Sequence, residues 1–145
     1  KTFIFNWNGN KLNSQEKYNR SMELKNAIPL FELDVNWIII TKDISLEEKE
    51  ILDNYNITIY SDIIDNNHAF FDSMIILRNI DGIFSTDTCL VHLAANLNIP
   101  TYVMLTLGCD WRWSNNNWYP DINIIKQKKQ GDWSHVIEEI KLIVK

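Results

Sequence analysis

Cysteine is scarce in this chain of 145 residues, with Cys89 and Cys109 as the only pair. They form neither a CxxC nor a zinc-ligand spacing, so they read as reduced thiols and point to a cytoplasmic setting. An excess of basic residues is also missing. The net charge is −5, acidic and basic residues are mixed along the chain, and a nucleic-acid backbone is set aside as a partner. No apolar run approaches the length of a bilayer, and no charged-then-apolar segment opens the chain, which argues against a membrane span and a signal peptide. There is no GxSxG, neither cysteine has a histidine close by in sequence, and His68 and His92 are too far apart for a local metal motif. An initiator methionine is absent as well. The chain begins at Lys1 and enters a strand at once, so it is expected to be a piece of a longer protein, although its length suffices for one domain with its own core.

What is present alternates between strand and helix. β-rich apolar runs mark strands at 2–7, 37–40, 57–60, 82–85, 101–105 and 122–125. Between them lie helical patterns. Ser21 is placed to cap a helix over 22–32, with Leu24, Ile28 and Phe31 inward and Pro29 shortening or kinking it. Ser45 and Glu48 form a capping box ahead of Leu46, Ile51 and Leu52. Phe70, Met74, Ile75 and Leu77 mark the next helix, after a loop at 62–67. Asp132 caps the last one, whose Val136, Ile137, Ile140 and Ile143 point inward. Strands apolar on both faces and alternating with helices predict an α/β fold, a Rossmann-like doubly wound parallel sheet of about six strands in the order 3-2-1-4-5-6.

In that order the switch point falls between strands 1 and 4, where ligands bind beyond the carboxyl ends of the strands. Two polar junctions meet there, the loop 8–20 and the stretch Ser85-Thr-Asp-Thr-Cys89 that opens a helix carrying Leu90, Leu93, Ala94 and Leu97. Thr86, Asp87 and Thr88 either cap this helix or help to seat an anion. In the second reading the amides of Thr88 and Cys89, with the Thr88 hydroxyl, hold the pyrophosphate of a nucleotide-linked donor. Asp87 would repel phosphate, so it caps the helix or accepts from sugar or ribose hydroxyls. His92 lies one turn behind Thr88, opposite the apolar stripe; it is structural, or it bonds the anion or orients the loop. Arg20 is the favoured phosphate clamp, ahead of Lys17 and Lys11, against the alternative of solvated surface charge. Gly9 serves a tight turn or the close approach of a ligand, with Asn10 beside it. The segment 106–121 is longer than an ordinary loop and holds Trp111, Arg112, Trp113, Trp118 and Tyr119. It is a packed loop, an interface, or a surface for stacking on sugar or base through Trp111 and Arg112.

Asp81-Gly-Ile-Phe-Ser-Thr-Asp-Thr-Cys-Leu-Val-His-Leu-Ala resembles the D-x-x-(I/V)-(S/T)-x-D-T-x-x-x-H-L-A segment of heptosyltransferase-like glycosyltransferases, family 9. The likeness is strongest to versions that follow tetratricopeptide repeats in bacterial proteins. Asn98-Ile-Pro100, Asp110-Trp-Arg-Trp113, Trp118-Tyr-Pro120 and Gln127-Lys-Lys-Gln-Gly-Asp-Trp133 keep the order of that family's further motifs, and Trp7-Asn-Gly-Asn10 with Arg20-Ser21 is similar to its first loop. Lys11, Leu12 and Asn13 stand where that loop commonly has proline and histidine. Asn98 stands for a glycine, in a left-handed position that asparagine tolerates.

The resemblance implies the carboxy-terminal, donor-binding half of a GT-B glycosyltransferase: residues 1–145 as one nucleotide-sugar-binding domain, with no metal or other cofactor. An acceptor domain or helical repeats would lie upstream and supply the general base. The catalytic residues, the nucleotide, the sugar and the acceptor stay unassigned. The alternatives are a degenerate module that binds protein or carbohydrate through its tryptophan-rich loop, and another nucleotide-sugar enzyme such as an epimerase.

Overall fold

The computed structural model of the chain describes residues 1–10, 20–114 and 118–145. Lys11 and Lys17, two of the candidate phosphate contacts, lie outside the described residues. The strands are β1 (Thr2–Asn6), β2 (Asn36–Ile39), β3 (Ile57–Ile59), β4 (Gly82–Thr86), β5 (Thr101–Leu105) and β6 (Asn123–Lys126). They form one sheet, every neighbouring pair parallel, in the order β3-β2-β1-β4-β5-β6. The helices are α1 (Ile28–Phe31), α2 (Leu46–Leu52), α3 (Phe71–Leu77), α4 (Cys89–Asn96) and α5 (Ser134–Val144). No helix among the described residues is long and apolar enough to cross a membrane.

The pleat divides the strand side chains between two layers. Phe3 and Phe5 of β1, Trp37 of β2 and Phe84 of β4 join Leu30, Leu52 and Ile140 under α1, α2 and α5. Ile4 and Ile83 point the other way, onto Leu77 of α3 and Leu90 and Ala94 of α4. Residues in both layers are buried, so the strands read as continuous apolar runs rather than alternating ones. Register puts Phe5 beside Phe84 and Asn6 beside Ser85, so β1 and β4 end level with each other at the switch point.

Several local expectations fail for identifiable reasons. The helix expected over 22–32 is split into a 3₁₀ turn, Leu24–Ala27, and the four-residue α1, with Pro29 in the first turn of α1. Proline has no amide to donate there, so it can only start a helix, not continue one. Ser21 caps nothing; the turn begins after Glu23, and the Ser21 hydroxyl is buried with no partner among the described residues. Leu46 is exposed instead of inward, since it occupies the first position of α2 and faces solvent. Phe70 does not belong to the α3 stripe: it precedes the helix at φ 65°, and both it and Ile75 are exposed. The tryptophan-rich segment contains a 3₁₀ turn, Trp111–Trp113, opened by Asp110, whose carboxylate accepts from the Arg112 amide at 3.0 Å.

Other expectations hold in detail. Asn98 is left-handed at φ 56°. The amide of Ile99 donates to the Ala94 carbonyl and that of Asn98 to the Ala95 carbonyl, which together make a Schellman termination of α4. Asp132 accepts from the Ser134 amide at 2.9 Å at the start of α5. The capping box is complete: the Glu48 amide donates to Ser45 Oγ at 3.2 Å, and the Ser45 amide donates to Glu48 Oε2 at 2.8 Å. Glu48 Oε1 also accepts at 2.7 Å from the indole of Trp7, which is fully buried.

The two halves of the box therefore differ in value. Ser45→Ala is expected to cost about 1 kcal/mol, a fall in Tm of about 2–4 °C for a chain of this size. Glu48→Ala also leaves the Trp7 indole N–H unpaired, which adds about 1–3 kcal/mol. Urea melts of both variants check the ranking, and an equal loss would refute the Trp7 link.

Candidate functional site

The site is built on the end of β1. Asn6 is buried there, and its side-chain amide joins four segments. Asn6 Nδ2 donates to the Asn8 carbonyl at 3.1 Å, to Ser85 Oγ at 3.0 Å and to Thr88 Oγ1 at 3.3 Å. Its Oδ1 accepts from Thr41 Oγ1 at 2.7 Å, just past β2. Ser85 Oγ donates to the Thr86 carbonyl at 2.8 Å, and a carbonyl only accepts. The hydrogen between Ser85 Oγ and Thr88 Oγ1, 3.1 Å apart, therefore comes from Thr88. The Thr88 hydroxyl is thus turned into the network, and backbone N–H is left as the outward donor.

Thr88 precedes α4 in an extended conformation (φ −135°, ψ 171°), and its side chain makes no capping bond to that helix. The N–H groups of Cys89 and Leu90 both face the Cys89 sulfur and favour its anionic form, as does the charge of Arg20. Crowding by neighbouring atoms outweighs them and raises the thiol's pKa, although the residue as a whole is exposed. Cys89 is therefore a protonated thiol at neutral pH. The donors around it remain a positively polarised corner.

Arg20 closes the second wall. Its Nη1 donates to the Asp87 carbonyl at 3.0 Å. A Cβ placed on Gly9 would stand 2.6 Å from Arg20 Nη2 and 3.4 Å from Thr88 Cγ2. Gly9 does not adopt the left-handed conformation that favours glycine; among the glycines only Gly131 does. Of the two reasons for a glycine at position 9, close approach is the one the structure displays, and the group approaching is the Arg20 guanidinium. Beside it Asn8 Nδ2 is buried with no hydrogen-bond partner among the described residues.

These groups border a cavity of about 410 Å³, within the size range of small-ligand sites. Asn6, Asn8, Gly9, Asn10, Thr88 and Cys89 line one side. Thr41, Lys42 and Asp43 after β2, with Asp65, Phe70 and Ser73 before and within α3, line the other. Lys42 Nζ donates to the carbonyls of Ser61 and Ile64 and so fixes the loop after β3. Asp65 accepts from the amides of Asp72 and Ser73 and pins the start of α3. Arg20 and Asp87 instead border a smaller cleft with Gly108, Cys109 and Asp110. Thr86 is fully buried, lines neither space, and its hydroxyl has no partner among the described residues.

His92 belongs to the tryptophan-rich loop. Its ring stacks on Trp113 at 5.6 Å and 22°, and Nδ1 lies 3.1 Å from Tyr119 Oη. Asn96 Nδ2 donates to the His92 carbonyl at 2.8 Å, which fixes that amide's orientation, and also to Tyr119 Oη at 3.3 Å. The neutral ring carries one hydrogen, and its tautomer sets whether Nδ1 donates to the tyrosine oxygen or accepts from it. Nε2 faces Asp87 Oδ1 at 4.0 Å. Burial, helped by Arg112 and opposed by Asp87, lowers the His92 pKa below 6.5. Trp111 is exposed, and Arg112 Nε pairs with Asp110 Oδ1 at 3.2 Å; neither lines the 410 Å³ cavity, and Asp110 borders the Arg20–Asp87 cleft.

Asn6, Asn8, Thr41, Lys42 and Tyr119 are the site residues that sequence reasoning missed. Asn6 had one available signal, a polar residue closing an apolar run on a switch-point strand. The others are placed by loops whose paths the pattern does not encode.

The chain matches no family model and no curated protein sequence. Solved structures do share its fold. The Escherichia coli heptosyltransferase WaaC with ADP superposes with a TM-score of 0.64 at 12% identity, and WaaC with ADP-2-deoxy-2-fluoro heptose with 0.58 at 13%. The E. coli ADP-heptose lipopolysaccharide heptosyltransferase II gives 0.60 at 15%. Each superposition covers 99% of this chain but only 42–46% of the partner structure, so the chain spans less than half their length. Fold and site together define a Rossmann-like α/β domain with an electropositive corner at its switch point.

The pKa direction at His92 has a sign that can be tested. A histidine held neutral in the folded state contributes its stability fully above the unfolded pKa near 6.5. That contribution falls away as pH drops through the lower folded value. Thermal melts from pH 7.5 to 5 should show wild type losing more stability on acidification than His92→Asn, whose amide can still pair with Tyr119. Parallel pH dependences would sink the assignment.

Proposed function

We infer that this chain is the nucleotide-sugar-binding half of a GT-B glycosyltransferase. One observation carries the reading: the buried Asn8 amide, with no partner among the described residues, and the start of α4 line a cavity of about 410 Å³ at the switch point, and the Arg20 guanidinium lies against Gly9, another of its lining residues. Anions collect where unpaired backbone N–H groups and a guanidinium face one space. Two of the structures that share the fold were determined with ADP and with an ADP-sugar analogue, which supports the same ligand class here.

In this reading the cavity takes the nucleoside, with the exposed Phe70 ring available to the base, and the pyrophosphate lies over Gly9 toward the Cys89 and Leu90 amides. When the sugar leaves, negative charge grows on the diphosphate. Arg20 and the amides, already oriented, stabilise it as it develops. Asp87 stands beyond the phosphates and accepts from sugar or ribose hydroxyls, with the His92 ring beside it. The phosphate charge is met by protein groups, so no metal is required. A partner domain would bring the acceptor and its general base.

Calorimetric titration with ADP, GDP and UDP tests this. At least one should bind the wild type with a Kd below about 1 mM, and binding should persist in excess EDTA. Arg20→Ala removes a charged hydrogen-bond donor and should weaken it by about 10- to 100-fold. Gly9→Ala should weaken it comparably while leaving Tm nearly unchanged, because the new methyl displaces a side chain and not the backbone. Absence of nucleotide binding at millimolar concentration overturns the reading.

A further inference from the structure

A second cavity, of about 560 Å³, lies at the opposite end of the sheet, where β5 and β6 begin and α4 ends. It shares no lining residue with the switch-point cavity. Tyr119, Pro120, Ile99 and Ile122 are among its walls, and Asn96, Asn98, Asn123 and Asp121 supply polar groups. Among the described residues no lysine, arginine or histidine lines it. The carbonyl end of α4 faces the same region and carries partial negative charge. Asp121 adds a full one. Phosphates and carboxylates are therefore repelled, and the nucleotide proposed for the front cavity has no place here.

Asp121 is the one charged side chain among the described lining residues, and the other polar groups are neutral. Asn98 and Asn123 are exposed, and their side chains make no hydrogen bond among the described residues. Each offers a paired donor and acceptor, and a cationic ammonium can use only the acceptor. Vicinal hydroxyls use both. Asn96 keeps its Oδ1 for a ligand, because its Nδ2 is held by the His92 carbonyl and Tyr119. Flat apolar walls from tyrosine and proline suit the C–H face of a pyranose. We propose that this rear cavity is a binding site for a neutral saccharide, separate from the nucleotide site. It stands on its own geometry and holds whether or not the front cavity takes a nucleotide.

Amide NMR titration of the 145-residue chain tests it, with glucose, galactose, mannose and maltose as probes, choline as the cationic control and ADP as the anionic one. At least one neutral sugar should shift resonances in 95–101 and 119–123 saturably, with a Kd of about 1–10 mM. Arg20→Ala should leave that binding unchanged. Asn123→Trp, which fills the mouth from an exposed position, should abolish it while the remaining spectrum stays folded. No saturable shift with any of the four sugars, shifts confined to 6–10 and 86–92, or stronger binding of choline would each overturn the proposal. ADP shifts serve separately: their absence overturns the nucleotide reading and leaves the sugar result standing.

Discussion

The switch point is held together by one buried carboxamide. A parallel sheet whose order reverses leaves a crevice where β1 and β4 diverge, and the backbone turning there must be anchored without help from the ladder. Asn6 does this by accepting from Thr41 on the β2 side and donating to Asn8, Ser85 and Thr88 on the β4 and α4 side. An amide has two hydrogens for those three acceptors, so one bond is shared, and the longest, to Thr88 at 3.3 Å, fits that role. A neutral group is needed. An aspartate would lose both donors and place a charge beside the corner where anions collect.

Because this network takes up the Thr88 hydroxyl, Thr88 does not cap the start of α4. Most helix starts satisfy their first amides with Ser, Thr, Asp or Asn. Here those residue types are present at 85–88, yet Ser85 and Thr88 are engaged in the Asn6 network and Thr86 is sealed away, and the amides of Cys89 and Leu90 face the Cys89 sulfur, which lines the cavity. The same constraint explains Gly9. The guanidinium of Arg20 must lie flat across the first loop to reach the Asp87 carbonyl, and a methyl at position 9 would occupy its path. Gly9 and Arg20 are thus matched by one close approach.

The sheet was legible because periodicity and burial carry the same information. Runs such as 37–40 and 101–105 are apolar throughout since both faces are covered, and alternation with helices then restricts the topology. Local chemistry was legible where one residue type has one use, as in the Ser45–Glu48 box and the left-handed Asn98. It failed where a residue had rival uses. Ser21 looks like a cap, but the turn starts after Glu23. Phe70 fits a helical stripe, yet the amides of Asp72 and Ser73 turn onto Asp65 and leave it outside the helix. Most of the candidate site residues gather at one place, but Thr88's hydroxyl faces inward, His92 faces the aromatic loop, and Thr86 is sealed away. Their directions depend on contacts from distant segments, which spacing along the chain does not record.

Helix α4 then imposes a division of labour on the fold. Its amide end opens at the switch point beside Arg20, and its carbonyl end, closed by Asn98, borders the rear cavity beside Asp121. The macrodipole adds to each side chain's charge with matching sign, so one end draws anions in and the other keeps them out. Tyr119 connects them. It lines the rear cavity, and its hydroxyl meets His92 Nδ1, whose far nitrogen lies 4.0 Å from Asp87 Oδ1. That chain of contacts runs along the outside of one short helix. His92 favours its neutral form there, because burial lowers its pKa.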